Sequence, residues 1–160
     1  DIRRIHQDAG AMATLGGVKD EGQTQAWMTR NLAHWETCGF GMYVLREAGG
    51  AEMVGRAGLR HLTLDGVDEV EVGYGFYPSA WGRGLATEVA RAFLALGFDA
   101  LGLASIVALT LPTNHRSQRV MAKAGLHFER DLVHEHELHV LYRAFRPTPG
   151  ASGSPPPAGA

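Results

Sequence analysis

The stretch Tyr74-Gly75-Phe76-Tyr77-Pro78-Ser79-Ala80-Trp81-Gly82-Arg83-Gly84-Leu85-Ala86-Thr87-Glu88 decides how this chain is read. Its opening continues a run in which Val70, Val72, Tyr74 and Phe76 alternate with Glu71, Gly73, Gly75 and Tyr77. A period of two makes this a strand with one bulky face and one nearly bare face. Pro78 ends it, because proline has no N–H for a ladder. After the glycine turn, Leu85, Val89, Phe93 and Leu96 recur at helical spacing beside Ala86, Ala90 and Ala92. That is a wide apolar stripe, suited to a helix lying on a sheet.

A strand, a glycine-rich turn and a helix start together make an anion site. The first turn of a helix offers unpaired N–H groups and the positive end of its dipole. Gly82 and Gly84 let a phosphate approach the backbone with no Cβ in the way, and Arg83 adds a charge-assisted donor. Two common phosphate signatures fail here. No Gly-x-x-x-x-Gly-Lys-Ser/Thr string occurs. In a Gly-x-Gly-x-x-Gly reading, Gly73-Tyr74-Gly75 meets Pro78 at the third glycine place, and Gly82-Arg83-Gly84 meets Thr87. A nucleotide-dependent oxidoreductase is therefore disfavoured. By residue types alone, a turn that merely connects strand to helix stays open.

Working outward, a helix is predicted over 24–36, with Met28, Leu32 and Trp35 on one apolar stripe and Gly39 as its stop. Strands are predicted over 41–47, 53–62 and 69–77, with turns at Gly49-Gly50 and Asp65-Gly66. After the long helix come a buried strand over 105–111 and a helix capped by Asn114 and stopped by Gly125. A hairpin of strands over 128–136 and 139–145 closes the domain. The order gives antiparallel strands first, then a strand-helix-strand crossover that adds a parallel pair.

The 160 residues suit one domain, set at 1–146, followed by a Pro/Gly/Ala/Ser-rich tail over 147–160 expected to be disordered. The formal charge is −2 with both signs interspersed, which argues against a general nucleic-acid binder. No apolar run reaches the length of a membrane span, and no signal peptide is recognised. Cys38 is the only cysteine, so an internal disulfide is impossible and a cytoplasmic setting is expected. Cys38 itself reads as a small buried hydrophobe, and Trp27 and Trp35 as core residues. Among His127, His134, His136 and His139, the pair His134 and His136 shares a predicted strand face. With no cysteine or further acid at ligand spacing, no metal is expected.

The string Trp81-Gly82-Arg83-Gly84-Leu85-Ala86-Thr87-Glu88-Val89 resembles the acetyl-CoA motif of the GNAT acetyltransferase superfamily. It is most similar to the ribosomal-protein N-acetyltransferase (RimJ/RimL-like) branch, where a tryptophan also replaces the broader family's Gln or Arg. Asn114-x-x-Ser117-x-x-Val120-Met121-x-Lys123-x-Gly125-Leu126 and His139-Val140-Leu141-Tyr142-Arg143 resemble the same branch further on. The resemblance runs over about residues 8–145. It implies an α/β acyl-CoA N-acyltransferase fold with a mixed, mostly antiparallel sheet flanked by helices. The strand with which the family normally opens has no counterpart ahead of the first predicted helix.

The resemblance also implies a chemistry. Acetyl-CoA would serve as cosubstrate, and a primary amine, a protein N-terminus or a small molecule, as acceptor in a monomer or homodimer. The pyrophosphate would lie on the N–H groups of Gly82, Arg83, Gly84, Leu85, Ala86 and Thr87. The pantetheine arm would run beside the strand ending at Phe76 and touch Asn114. Ser117 would protonate the departing thiolate, since the general-acid tyrosine of many relatives aligns with Met121, which has no proton to give. Helix capping alone also explains Asn114 and Ser117. Glu71 is expected as base or amine anchor, against a plain solvated carboxylate. A non-catalytic acetyl-CoA-binding module is the competing reading in another class.

Overall fold

The computed structural model describes residues 1–148. Of the tail expected over 147–160, residues 149–160 lie outside the described residues. The elements run α1 (Ile2–His6), α2 (Ala9–Met12), α3 (Glu21–Cys38), β1 (Met42–Arg46), β2 (Met53–Leu64), β3 (Val67–Phe76), α4 (Leu85–Ala95), β4 (Ser105–Thr110), α5 (His115–Ala124), β5 (His127–His134) and β6 (Glu137–Phe145). A 3-10 turn at Pro78–Ala80 precedes α4, and a π-helical turn at Leu96–Ala100 follows it. Six strands form one sheet in the order β1-β2-β3-β4-β6-β5, antiparallel except for β3 against β4. The mixed α/β architecture expected from the sequence is the one present, and a helix, not a strand, comes first.

The main core fills the space between one sheet face and α4 and α5. Leu59, Val72, Ile106 and Ala108 from the sheet meet Leu94, Phe98, Met121 and Leu126. The opposite face carries two smaller clusters. Ile5, Ala11 and Met53 pack at the β1–β2 side, and Leu64, Val107, Leu132 and Leu141 at the β4–β6 side. Between those clusters the face is cleft, and that gap positions the site.

Three elements differ from the sequence reading. α3 begins at Glu21, because Asp20 and Gln23 form a reciprocal capping box: Asp20 accepts from the Gln23 N–H at 2.7 Å, and Gln23 accepts from the Asp20 N–H at 3.0 Å. Its predicted apolar stripe is not a core stripe, since Leu32 is 59% and Met28 38% exposed. Polar ties hold the helix to edge strand β1 instead. Asn31 accepts from the Met42 N–H at 2.9 Å, and Asn31 and Trp35 both donate to the Met42 carbonyl at 3.3 Å. Finally, β5 stops at His134. Glu135 and His136 have φ of 49° and 67°, the left-handed pair that a two-residue hairpin turn requires. His136 is therefore a turn residue and shares no strand face with His134.

Candidate active site

Strands β3 and β4 pair at one position only, Glu71 against Val107. Beyond it they diverge, while β3 stays fully paired to β2 through Gly55 opposite Phe76. The far edge of β3 from Gly73 to Phe76 thus opens into a wedge inside the sheet. An unpaired strand edge seeks hydrogen bonds, and an extended ligand arm can supply them as an added strand would. The wedge continues into a cleft of about 1080 Å³ that reaches from Gly82, Gly84 and Thr87 at one end to Arg56, Arg60 and Glu71 at the other.

At the first end stands the start of α4. Gly84 is its N-cap at φ 83°, Gly82 has φ 75°, and no side chain caps the helix. Those conformations need glycine, and they turn the amides of the loop toward the open helix end. Trp81 fixes the loop by donating its indole N–H to the Phe76 carbonyl at 3.0 Å. Arg116 of α5 lies over the Trp81 ring at 5.1 Å, and Arg119 and Lys123 also line the cleft. The sequence assigns no role to Arg116 and Arg119, and shows Lys123 only as part of a motif. Helical spacing alone gives no sign that they face a turn some thirty residues earlier.

Two expectations for this end change in detail. Arg83 is drawn away from the cleft: its fork grips Glu47 at 2.8 and 2.7 Å, an exposed pair that lowers the Glu47 pKa through hydrogen bonding and charge. The Thr87 N–H is already given to the Gly84 carbonyl at 3.1 Å, so Thr87 offers a hydroxyl and not an amide. Leu85 and Ala86 line the cleft.

The apex of the wedge holds two hydroxyls. Tyr74 Oη and Ser117 Oγ lie 2.9 Å apart, and either can donate. Burial pushes the Tyr74 phenol up to about 12; the Glu71 charge adds to the rise and the Ser117 bond partly offsets it. Asn114 caps α5 by accepting from the Ser117 N–H at 3.2 Å, and its amide donates to Thr110 Oγ1 at 3.0 Å. Capping is therefore real, and it holds Ser117 against Tyr74. The alternation of β3 places Tyr74 on the bulky strand face. Its alternation was legible, its partner on α5 was not. Met121 is 1% exposed within the main core.

Glu71 is no solvated carboxylate. It is 6% exposed and accepts from Arg60 Nε at 2.6 Å. Trp27, expected in the core, lines the cleft with the Arg56 guanidinium 4.8 Å from its ring. His134 and His139 line the far rim, their rings 5.9 Å apart. Away from the cleft, ligand atoms of His34, Cys38 and His61 fall within 4.8 Å of one another. Both His34 nitrogens are committed, one to the Phe40 carbonyl at 2.6 Å and one to the His61 N–H at 3.0 Å, so the grouping ties α3 to the sheet. Among the described residues no helix is long and apolar enough to cross a membrane.

Comparison with known proteins identifies a family and a fold. Residues 1–127 match the family described as Acetyltransferase (GNAT) domain. Protein YkkB of Bacillus subtilis is 30% identical over 128 residues, spanning 80% of this chain and 74% of that protein. The crystal structure of an acetyltransferase from Agrobacterium tumefaciens superposes with a TM-score of 0.75 at 28% identity, over 89% of this chain and 82% of that one. A spermidine N-acetyltransferase from Vibrio cholerae, solved with CoA and spermine, has a TM-score of 0.73 at 16% identity, over 91% of this chain and 88% of that one. At that identity the likeness shows the fold alone.

Proposed function

This chain belongs to the GNAT acetyltransferase family, and we propose that it moves the acetyl group of acetyl-CoA to a primary amine by direct transfer in a ternary complex. The observation that carries the reading is the wedge between β3 and β4, with an open helix end at one side and a hydroxyl pair at its apex. The amides of Gly82, Arg83, Gly84, Leu85 and Ala86 would receive the pyrophosphate at the α4 N-terminus, with Arg116 and Arg119 as the nearby cations. The open edge of β3 up to Phe76 would take the pantetheine arm as an added strand, with Asn114 beside it. The motifs at Trp81 and Asn114 support placement in the RimJ/RimL-like branch, and a protein N-terminus stands among the candidate acceptors.

In the transfer, the amine nitrogen bonds to the thioester carbonyl carbon and the carbon–sulfur bond breaks. The nitrogen sheds a proton, and the leaving sulfur ends as a thiol. A β3 amide facing the wedge would hold the carbonyl oxygen as its charge grows. Ser117, bridged to Tyr74, would donate a hydrogen bond to the departing thiolate. A phenol pushed up to about 12 gives a proton to a thiolate of pKa about 8.5 only uphill, so the pair stabilises the thiolate and water completes its protonation. Glu71, already paired with Arg60, is better suited to anchor the amine than to take its proton. Initial rates with both substrates varied test the ternary complex. Intersecting double-reciprocal lines are expected. Parallel lines, the mark of an acyl-enzyme, would overturn direct transfer, and CoA binding without thiol release on any amine would favour the non-catalytic module.

A further inference from the structure

The acceptor end of the cleft contains a buried cation that lies on an aromatic face and has no carboxylate partner among the described residues. Arg56 is 8% exposed, and its Nε is buried with no hydrogen-bond partner. No carboxylate pairs with it among the described residues, because Glu71, the acid within its electrostatic reach, is held by Arg60 at 2.6 Å. Its other neighbours give no counter-charge. The Trp27 ring lies 4.8 Å from the guanidinium, and the His6 ring packs edge-on against Trp27 at 5.1 Å, fully buried. Lys19 lines the same wall as a further cation, and Glu135 and Glu137 stand across the cleft on the β5–β6 hairpin. Burial, then the neighbouring Arg60 charge, lower the Arg56 pKa to about 10, so the group stays cationic at neutral pH.

A buried charge with no partner is costly and rarely kept without a use. A guanidinium supported on an aromatic face presents a planar fork that matches a carboxylate with two parallel hydrogen bonds. Its place in the sheet matters too. Arg56 sits directly across the β2–β3 ladder from Gly75, the strand segment that edges the wedge. Arg56 therefore stands one strand spacing from β3 and two from where the thioester arm would lie. The glycines at 73 and 75 put almost no side chain in between, apart from Leu15, which a Cβ at Gly75 would meet at 2.6 Å.

We propose that the acceptor is an amine that also bears a carboxylate, an α-amino acid or a molecule presenting one, with the carboxylate held by Arg56 and the amine turned toward the β3 edge. The proposal rests on acetyl transfer to an amine in this cleft. Purely cationic acceptors such as polyamines would meet Arg56 as a like charge.

The test separates the two ideas. CoA is first titrated calorimetrically into the wild-type protein and Arg56→Met. Equal affinities are expected, and no CoA binding in either would sink the acetyltransferase reading and this proposal with it, whereas a failure confined to the acceptor titrations overturns the proposal alone. The CoA-bound proteins are then titrated with product analogues, the N-acetyl forms of glycine, leucine, phenylalanine and glutamine, each against its carboxamide. In the wild type at least one acid should bind about tenfold to a hundredfold more tightly than its amide, the range for a hydrogen bond to a charged group. Arg56→Met, which keeps the stem and removes the charge, should abolish that difference. Arg56→Lys should keep part of it and serves if the methionine variant fails to fold. The proposal is overturned if no acid outbinds its amide. It is equally overturned if Arg56→Met weakens CoA as strongly as it weakens the acid, for the anion on Arg56 would then be CoA's own phosphate.

Discussion

Tyr74 and Ser117 come from elements forty-three positions apart and meet over 2.9 Å, so each orients the other's proton. If the pair acts as one donor toward the thiolate, removing either hydroxyl disables the same function. We expect Ser117→Ala and Tyr74→Phe each to lower kcat roughly tenfold to a hundredfold, with the double variant little worse than either single one. Steady-state rates at saturating acetyl-CoA measure this. Because burial pushes the phenol up to about 12, the pair keeps both protons through the neutral range, and no loss of rate from this group is expected as pH rises to 9. A drop only in melting temperature for Ser117→Ala would reduce the serine to a structural tie between α5 and Tyr74. Asn114→Ala differs in kind. It removes the cap, worth about 1 kcal/mol, and the contact expected with the pantetheine arm, so CoA affinity should fall as well.

The turn into α4 is the element on which CoA binding should depend most. Gly84 has φ 83° and a Cβ there would meet nothing within 4 Å, so a side chain would stand free over the open helix end. The left-handed backbone also resists a β-branched residue, by about 1–2 kcal/mol. These two effects must be told apart. Gly66, at φ 80° in the β2–β3 turn with nothing within 4 Å of its Cβ, carries the same backbone strain away from the cleft. Gly84→Val and Gly66→Val should lose similar stability by denaturant unfolding. Only Gly84→Val should weaken CoA, by at least about tenfold, an effect of the size expected when phosphate hydrogen bonds are lost. Equal CoA affinity in the two folded variants would remove the pyrophosphate from this turn.

At the scale of the molecule, a buried histidine joins α1 to the N-terminal half of α3, whose Trp27 carries Arg56 of the sheet. His6 is 0% exposed, bonds Thr24 Oγ1 at 3.1 Å, and faces Trp27, with Arg56 and Lys19 as the nearby charges. Burial first, then those two cations, lower its pKa from 6.5 to about 4. Between those values the unfolded chain binds a proton that the folded one refuses. Stability is therefore full above pH 6.5 and is lost as pH falls toward 4, by on the order of 2–3 kcal/mol from this group. Melting curves across that window should show the loss, and His6→Gln should flatten it. The sequence by itself determined the alternation of β3, the glycine turn, the Asn114 and Gly125 ends of α5 and the Asp65-Gly66 hairpin, because each follows from backbone conformation within a few residues. With them came the resemblance to the family that residues 1–127 match. Tertiary structure alone decided that β3 and β4 part after Glu71, that Tyr74 meets Ser117, that Arg83 turns to Glu47, and that Trp27 and Arg56 form a cleft wall. Those are pairings between side chains far apart in the chain, and periodicity says which face a residue occupies but not what stands opposite it.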